Sequence, residues 1–100
     1  MNQRKRDDVV TALNKKGFIQ SDNDHMKFTY VNSVGKKTQV WTKISRGSNH
    51  REITVPNLSR MASQCKLSNS DFEQLLDCPL SREKYEDMLI SQGQISEINK

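Results

Sequence analysis

The segment SDNDHMKFTYV, from Ser21 to Val31, places a histidine where a polar turn enters a strand. Histidine is the side chain whose unperturbed pKa, roughly 6.5, allows proton transfer in either direction near neutral pH. Metal-free cleavage of a phosphodiester needs a proton taken from a hydroxyl, charge stabilised on phosphorus and a proton given to the leaving oxygen. His25 is therefore a candidate general acid or base, with Lys27 two residues further on the same strand face as a phosphate contact. The alternative is a surface histidine with no role.

Further cations follow on the next predicted strand and its exit loop, at Lys37, Lys43 and Arg46. If the two strands pair as a hairpin, we expect these side chains to converge near His25 and to bind phosphate. Arg46 offers a planar fork that suits a phosphate group. His50, in the same loop, could supply the second proton transfer if the loop folds back. The alternative is that exposed strand cations protect the sheet from aggregation.

Trp41 is the only tryptophan of the chain. The alternation of its strand predicts that it shares an open sheet face with Lys37, Gln39 and Lys43. Three roles are open for it there. It can stack on a base, anchor a protein partner, or be covered by helices from the end of the chain.

The formal net charge of +4 conceals two parts of opposite sign. Residues 1–66 carry 13 Lys/Arg against 5 acidic residues, a balance of +8, whereas residues 67–100 carry 3 against 7, a balance of −4. A basic body suggests a polyanionic partner such as RNA. The alternative is that both sets of charges only solvate the surface.

A chain of 100 residues with 33% hydrophobic residues is expected to form one domain. No stretch approaches the roughly 20 apolar residues of a membrane span, and the first residues lack the apolar run of a secretory signal. We therefore expect a cytoplasmic protein without membrane contact. Cys65 and Cys78 lack CxxC spacing and nearby histidines, so we expect reduced thiols, no metal and no cofactor.

The spacing of apolar residues predicts four helices and three strands. Helix-stop signals at Lys15, Lys16 and Gly17 end the first helix, Pro56 begins the second, and Ser81 is a plausible N-cap for the fourth. The predicted order is a helix over about 4–16, a strand from 18, strands from 25 and over 37–44, a helix over about 56–65, a short third helix around 70–76 and a fourth helix that Gly93 ends.

This order is α-β-β-β-α with two added helices. It predicts an α+β fold in which a three-stranded antiparallel sheet carries helices on one face, the arrangement of the double-stranded-RNA-binding domain. We expect residues 1–67 to form that core. Residues 68–100 are expected to form an acidic helical extension packed on the same single domain, with frayed last residues.

The run ALNKKGFIQSDNDHMKFTYV, followed by KKTQVWTKISRGSNHREI and a closing helix, resembles the HicA toxins of type II toxin-antitoxin systems. Leu13, Gly17 and Phe18 match the family's L-x-x-x-G-F passage, and the resemblance covers about residues 4–67. It implies a dsRBD-like fold and a metal-independent endoribonuclease that acts on mRNA and is held inactive by a HicB-like antitoxin. It also implies that His25 is the catalytic histidine.

Two other functions remain open beside the mRNA interferase. The family's glycine-serine before the histidine is replaced by Asn23-Asp24, and Arg46-Gly47 stand where many members carry a further histidine and glycine. These differences are compatible with an RNA-binding module of the same fold without catalysis. A protein-interaction domain with no nucleic-acid role, built on Trp41 and the acidic helices, is the third hypothesis.

Overall fold

A computed structural model describes residues 2–22, 25–44, 51–77 and 79–95. It contains five strands and four helices within this part of the chain. They are β1 (Arg4–Lys5), α1 (Arg6–Lys15), β2 (Phe18–Asp22), β3 (Met26–Val31), β4 (Lys37–Ile44), β5 (Glu52–Ile53), α2 (Val55–Gln64), α3 (Asn69–Asp77) and α4 (Arg82–Ser91).

The main sheet is antiparallel, with strand order β2-β3-β4. Phe28 and Tyr30 of β3 and Val40, Thr42 and Ile44 of β4 are buried, and the residues between them on β4 are exposed. This period of two is that of a sheet with one face on the core and one in solvent. The predicted α+β fold, with a three-stranded antiparallel sheet and helices packed on one face, is confirmed.

The loop between β3 and β4 is a tight connection organised by Asn32. The side-chain oxygen of Asn32 accepts hydrogen bonds from the backbone N–H groups of Val34 (3.1 Å) and Lys36 (2.9 Å). Short polar side chains commonly stabilise turns in this way. The strand pairing shifts register between Thr29 and Val31. The hairpin thus fixes which β4 residues face which residues of β3.

The first helix begins at Arg6, two residues later than the sequence predicted. Arg4 and Lys5 instead pair antiparallel with Ile53 and Glu52, forming a second, two-stranded sheet. This pairing joins residues almost 50 positions apart, so no local pattern indicates it. Arg4 also donates to Asp77 of α3 at 2.7 and 2.9 Å, and this hydrogen-bonded ion pair lowers the pKa of the Asp77 carboxyl.

Helix α4 is attached to the sheet by a polar and aromatic cluster. The Tyr30 hydroxyl donates to the buried carboxylate of Glu86 at 2.6 Å. The Tyr30 ring packs edge-to-face on Phe18 and on Tyr85, with centroids 5.5 and 5.2 Å apart. Burial and then the bond to Glu86 raise the pKa of Tyr30, and burial raises that of Tyr85. Both hydroxyls are therefore neutral in the folded protein near pH 7.

Arg82 attaches the first turn of α4 to the end of β3 and to Gly17, which follows α1. Its guanidinium donates to the carbonyl oxygens of Val31 (2.8 Å) and Asn32 (3.2 Å) and lies over the Tyr30 ring. Gly17, with a positive φ of 94°, lies directly beneath it, and an added Cβ there would be 2.5 Å from the Arg82 Nε. The glycine therefore satisfies two requirements, a left-handed backbone and space for the arginine.

The remaining helices enclose the core. Leu58, Met61 and Ala62 of α2 and Phe72 and Leu75 of α3 are buried in the same hydrophobic cluster as the inner sheet face. The predicted cap of α4 is confirmed, because the Ser81 hydroxyl accepts the N–H of Lys84 at 3.1 Å. Burial raises the pKa of the Cys65 thiol to about 12, so it is protonated near neutral pH. None of the described helices is long and apolar enough to cross a membrane.

Candidate nucleic-acid interface

In the part of the chain that the structure describes, the open face of the main sheet carries lysines and no acidic side chain. On each strand the side chains of this face alternate with the buried side chains of the inner face. Three of its described residues are lysines and none is acidic. A sheet face whose described side chains include several cations and no acid attracts anions. We call these residues the open face: Ile19, Ser21, Lys27, Thr29, Lys37, Gln39, Trp41 and Lys43.

Two of its lysines are brought directly together. Lys27 on β3 and Lys43 on β4 are register partners, so their side chains rise from neighbouring positions on the open face. Like charges directly opposite one another in an antiparallel pair are destabilising. The predicted convergence of these two cations is confirmed. An anion between the two ammonium groups would be attracted to both of them and would offset their mutual repulsion.

Trp41 lies beside this pair. The ammonium nitrogen of Lys27 is 4.9 Å from the centroid of the indole ring, within the range of a cation–π interaction. Trp41 is 39% exposed, so the C-terminal helices do not cover it, and that alternative is wrong. A flat aromatic ring in contact with a mobile cation suits both a nucleobase and a protein partner.

His25 is exposed and directly precedes β3. Met26, the next residue, pairs with Ile44, so the histidine lies at the end of the hairpin where β4 leaves the sheet. Lys27 is two residues further along the strand, which is roughly 7 Å at the rise of a β-strand. Both residues are exposed at the same end of the hairpin, and a shared strand face for the two side chains stays a prediction because His25 precedes the strand. Asp24, which directly precedes His25 in the chain, lies outside the described residues.

Lys37 does not join the group. It pairs with Val31 at the opposite end of the hairpin, six residues from Lys43, which is roughly 20 Å along the strand. Antiparallel pairing brings the end of β4, and not its beginning, next to the start of β3, so the expected convergence of Lys37 on His25 does not occur. Arg46 and His50 lie outside the described residues.

The sequence reasoning missed the contribution of β2 to the open face, in particular Ile19. This residue of β2 is the register partner of Thr29, which in turn pairs with Trp41 across the sheet. Ile19 is 49% exposed, so an apolar side chain and an indole flank the threonine on a solvent-facing row. The alternation starting from buried Phe18 was the signal that could have placed Ile19 on this face.

The motif behind the HicA resemblance has structural reasons of its own. Leu13 is fully buried in the core, Gly17 accommodates Arg82, and Phe18 packs on Tyr30 and stacks on Tyr85 at 5.9 Å. Each residue type is thus required by packing whatever the activity. The functional weight of the resemblance falls on His25 and its surroundings.

Comparisons with known proteins identify no relative of this chain. The chain matches no known family model, and no curated protein or solved structure is significantly similar to it. The HicA-like and dsRBD-like assignments therefore remain predictions. The function must be argued from the geometry of the open face.

Proposed function

We propose that the open face binds RNA, with Lys27 and Lys43 contacting phosphates and Trp41 stacking on a base. The observation that carries the proposal is the pairing of the two lysines across adjacent strands beside an exposed indole. A phosphodiester between the two ammonium groups relieves their repulsion, and an aromatic ring offers a sequence-tolerant stacking surface. The basic balance of residues 1–66 acts in the same direction over a longer range.

We further propose that the protein is a metal-independent endoribonuclease of the HicA type, acting on mRNA in the cytoplasm. His25 would take the proton from a 2′-hydroxyl as that oxygen attacks phosphorus, or give a proton to the departing 5′-oxygen, and solvent water would carry out the other of these two proton transfers. The bond to the 5′-oxygen breaks, leaving a 2′,3′-cyclic phosphate and a 5′-hydroxyl. Lys27 and Lys43 would stabilise the charge that develops on the phosphoryl oxygens. A HicB-like antitoxin that masks this face is the partner that goes with such an activity.

Binding is tested with the variant Lys27→Gln/Lys43→Gln and a matched control, Lys15→Gln/Lys84→Gln. Both remove two positive charges, but the control charges lie exposed on α1 and α4. We expect the open-face variant to lose affinity for single-stranded RNA and about two units of salt-dependence slope. The control should bind as the wild type does, apart from a small long-range effect. Equal affinities for the two variants would exclude this face as the binding site.

Catalysis is tested separately with His25→Ala. The wild-type chain should cleave RNA in the presence of EDTA and arrest growth when expressed, and His25→Ala should do neither while still binding RNA. If both chains bind and neither cleaves, the protein is a non-catalytic RNA-binding module. If both arrest growth equally, the toxicity does not come from His25.

A specific observation favours a second candidate function, a protein-interaction domain. Ile19 and Trp41 give the open face an apolar row, and tryptophan is enriched at the centres of protein interfaces. In this case RNA retention on a filter at low salt would be the same with and without the protein.

A further inference from the structure

A small cavity lies around the edge of β4 from the open face, between β4, β5 and α2. Its volume is about 100 Å³, and it is lined by two cations, Lys43 and Arg60, two amides, Asn57 and Gln64, and the carboxylate of Glu52, above a floor of Ile44, Ile53 and Met61. The floor is buried whereas both cations are exposed. Charged donors above an apolar base form a pocket that can hold one anionic group.

Most of the polar residues that line the cavity can donate hydrogen bonds, and Glu52 is the one carboxylate among them. The Gln64 side-chain oxygen accepts the Thr42 hydroxyl at 2.6 Å, which leaves the amide nitrogen of Gln64 to donate elsewhere. The Glu52 carboxylate accepts a hydrogen bond from the Gln3 side chain, so part of its acceptor capacity is used outside the cavity. Arg60 contributes a planar guanidinium, which matches the geometry of phosphate oxygens. The balance of two cations and one carboxylate is positive.

Lys43 connects the cavity to the open face. Its backbone pairs with that of Lys27 in the sheet, and Lys43 is also one of the residues that line the cavity. An RNA strand held between Lys27 and Lys43 therefore has a second positively charged pocket directly beyond Lys43.

We propose that this cavity binds a phosphate of the same RNA strand that crosses the open face, so that the strand bends around the edge of β4 towards α2. The inference rests on the proposed RNA binding and gives it a direction and a further contact. Arg60 is a binding residue in this arrangement, with Asn57 and Gln64 as neutral donors. The ligand chemistry, a phosphate group, can also come from free phosphate, and the experiment below separates the two sources.

The test uses Arg60→Gln with Lys84→Gln as the control of equal charge change on α4. The probe is a labelled 2′-O-methyl oligouridylate of about 12 nucleotides, within the usual site size of single-strand binders and resistant to cleavage at the 2′-position. We expect Arg60→Gln to bind about tenfold more weakly, as for one lost charge-assisted contact, with a salt slope reduced by about one. Trp41 fluorescence at saturation should change as in the wild type, because the open face still holds the strand.

The possible failures are distinguishable. If the wild type binds the oligonucleotide and Arg60→Gln binds it equally well, the cavity assignment is wrong and the open face stands. If the wild type does not bind at all, both proposals are wrong. Inorganic phosphate is titrated in parallel while the Gln64 side-chain amide signals are followed by NMR. Phosphate-dependent shifts combined with unchanged oligonucleotide affinity of Arg60→Gln would identify a free-anion site and overturn the proposed path.

Discussion

Replacement of Gly17 by alanine tests the packing that joins α4 to the sheet. The added Cβ would be 2.5 Å from Nε and 2.9 Å from Cζ of Arg82, so the arginine side chain must move. Its movement breaks the hydrogen bonds to the carbonyl oxygens of Val31 and Asn32. The backbone must also hold an alanine at a φ of 94°.

The expected cost has two parts. A left-handed conformation costs a non-glycine residue about 1–2 kcal/mol. Loss of hydrogen bonds from a charged donor adds roughly 1.5–3 kcal/mol. We therefore expect Gly17→Ala to lower the free energy of unfolding by about 2.5–5 kcal/mol, a large fraction of the stability of a small domain.

Gly35→Ala is the matched control. Gly35 also has a positive φ, 84°, but no atom lies within 4 Å of the position its Cβ would take. It should lose only the conformational part, about 1–2 kcal/mol. Both variants are compared with the wild type by urea denaturation, followed by circular dichroism.

A third variant isolates the arginine. In an Arg82→Ala background, the substitution Gly17→Ala should cost no more than Gly35→Ala, because the side chain that it displaces is gone. If Gly17→Ala and Gly35→Ala cost the same in the wild-type background, the proposed packing of Arg82 on Gly17 is wrong.

Two further predictions concern the helices and the buried hydroxyls. Ser81→Ala should lower the free energy of unfolding by about 1 kcal/mol because it removes the cap of α4, whereas Thr54→Ala should be nearly neutral because the Thr54 side chain makes no capping bond to α2; equal costs in chemical denaturation would contradict this. Tyr30 and Tyr85 are the only tyrosines, and both pKa values are raised in the folded protein. The unfolded chain therefore releases phenolic protons near pH 10 while the folded chain retains them, so stability falls as pH rises above about 10; tyrosinate absorbance near pH 10 in folded protein would refute the burial.

The order of elements was readable from the sequence because each depends on local chemistry. The alternation in 26–31 and 37–44 identified the inner and outer faces of two strands, and it placed Trp41 on the outer face of β4. The capping residue Ser81 fixed the start of α4. Such features arise from spacing and from side chains that bond their own backbone.

The long-range polar contacts were not readable in the same way. Glu86 is buried because Tyr30, 56 residues earlier, donates to it, and its acidic neighbours on α4 made it look like a surface residue. Lys16, read as a helix-stop cation, is buried and donates to the Leu80 carbonyl at 2.5 Å. The sequence pattern of one segment does not show which residue of a distant segment will contact it.

Only those features of the candidate site that depend on local alternation could be predicted from the sequence. Lys27, Lys43 and Trp41 were placed on one face by alternation alone, and the structure confirms it. The position of Lys37 depends on the direction in which β4 runs past β3, and the cavity beneath Lys43 depends on the packing of α2. Tertiary packing decides such features.

Fluorescence of Trp41 during titration with a single-stranded oligoribonucleotide tests the central claim most directly, because the chain has no other tryptophan and this one lies on the open face. Stacking on a base and displacement of Lys27 from the ring should quench the emission in a saturable, salt-sensitive way. Lys27→Gln/Lys43→Gln should need several-fold more RNA than Lys15→Gln/Lys84→Gln to reach half-saturation. Emission that stays constant while RNA binds elsewhere on the protein, or no binding at low salt, would contradict the assignment of the open face as the RNA interface.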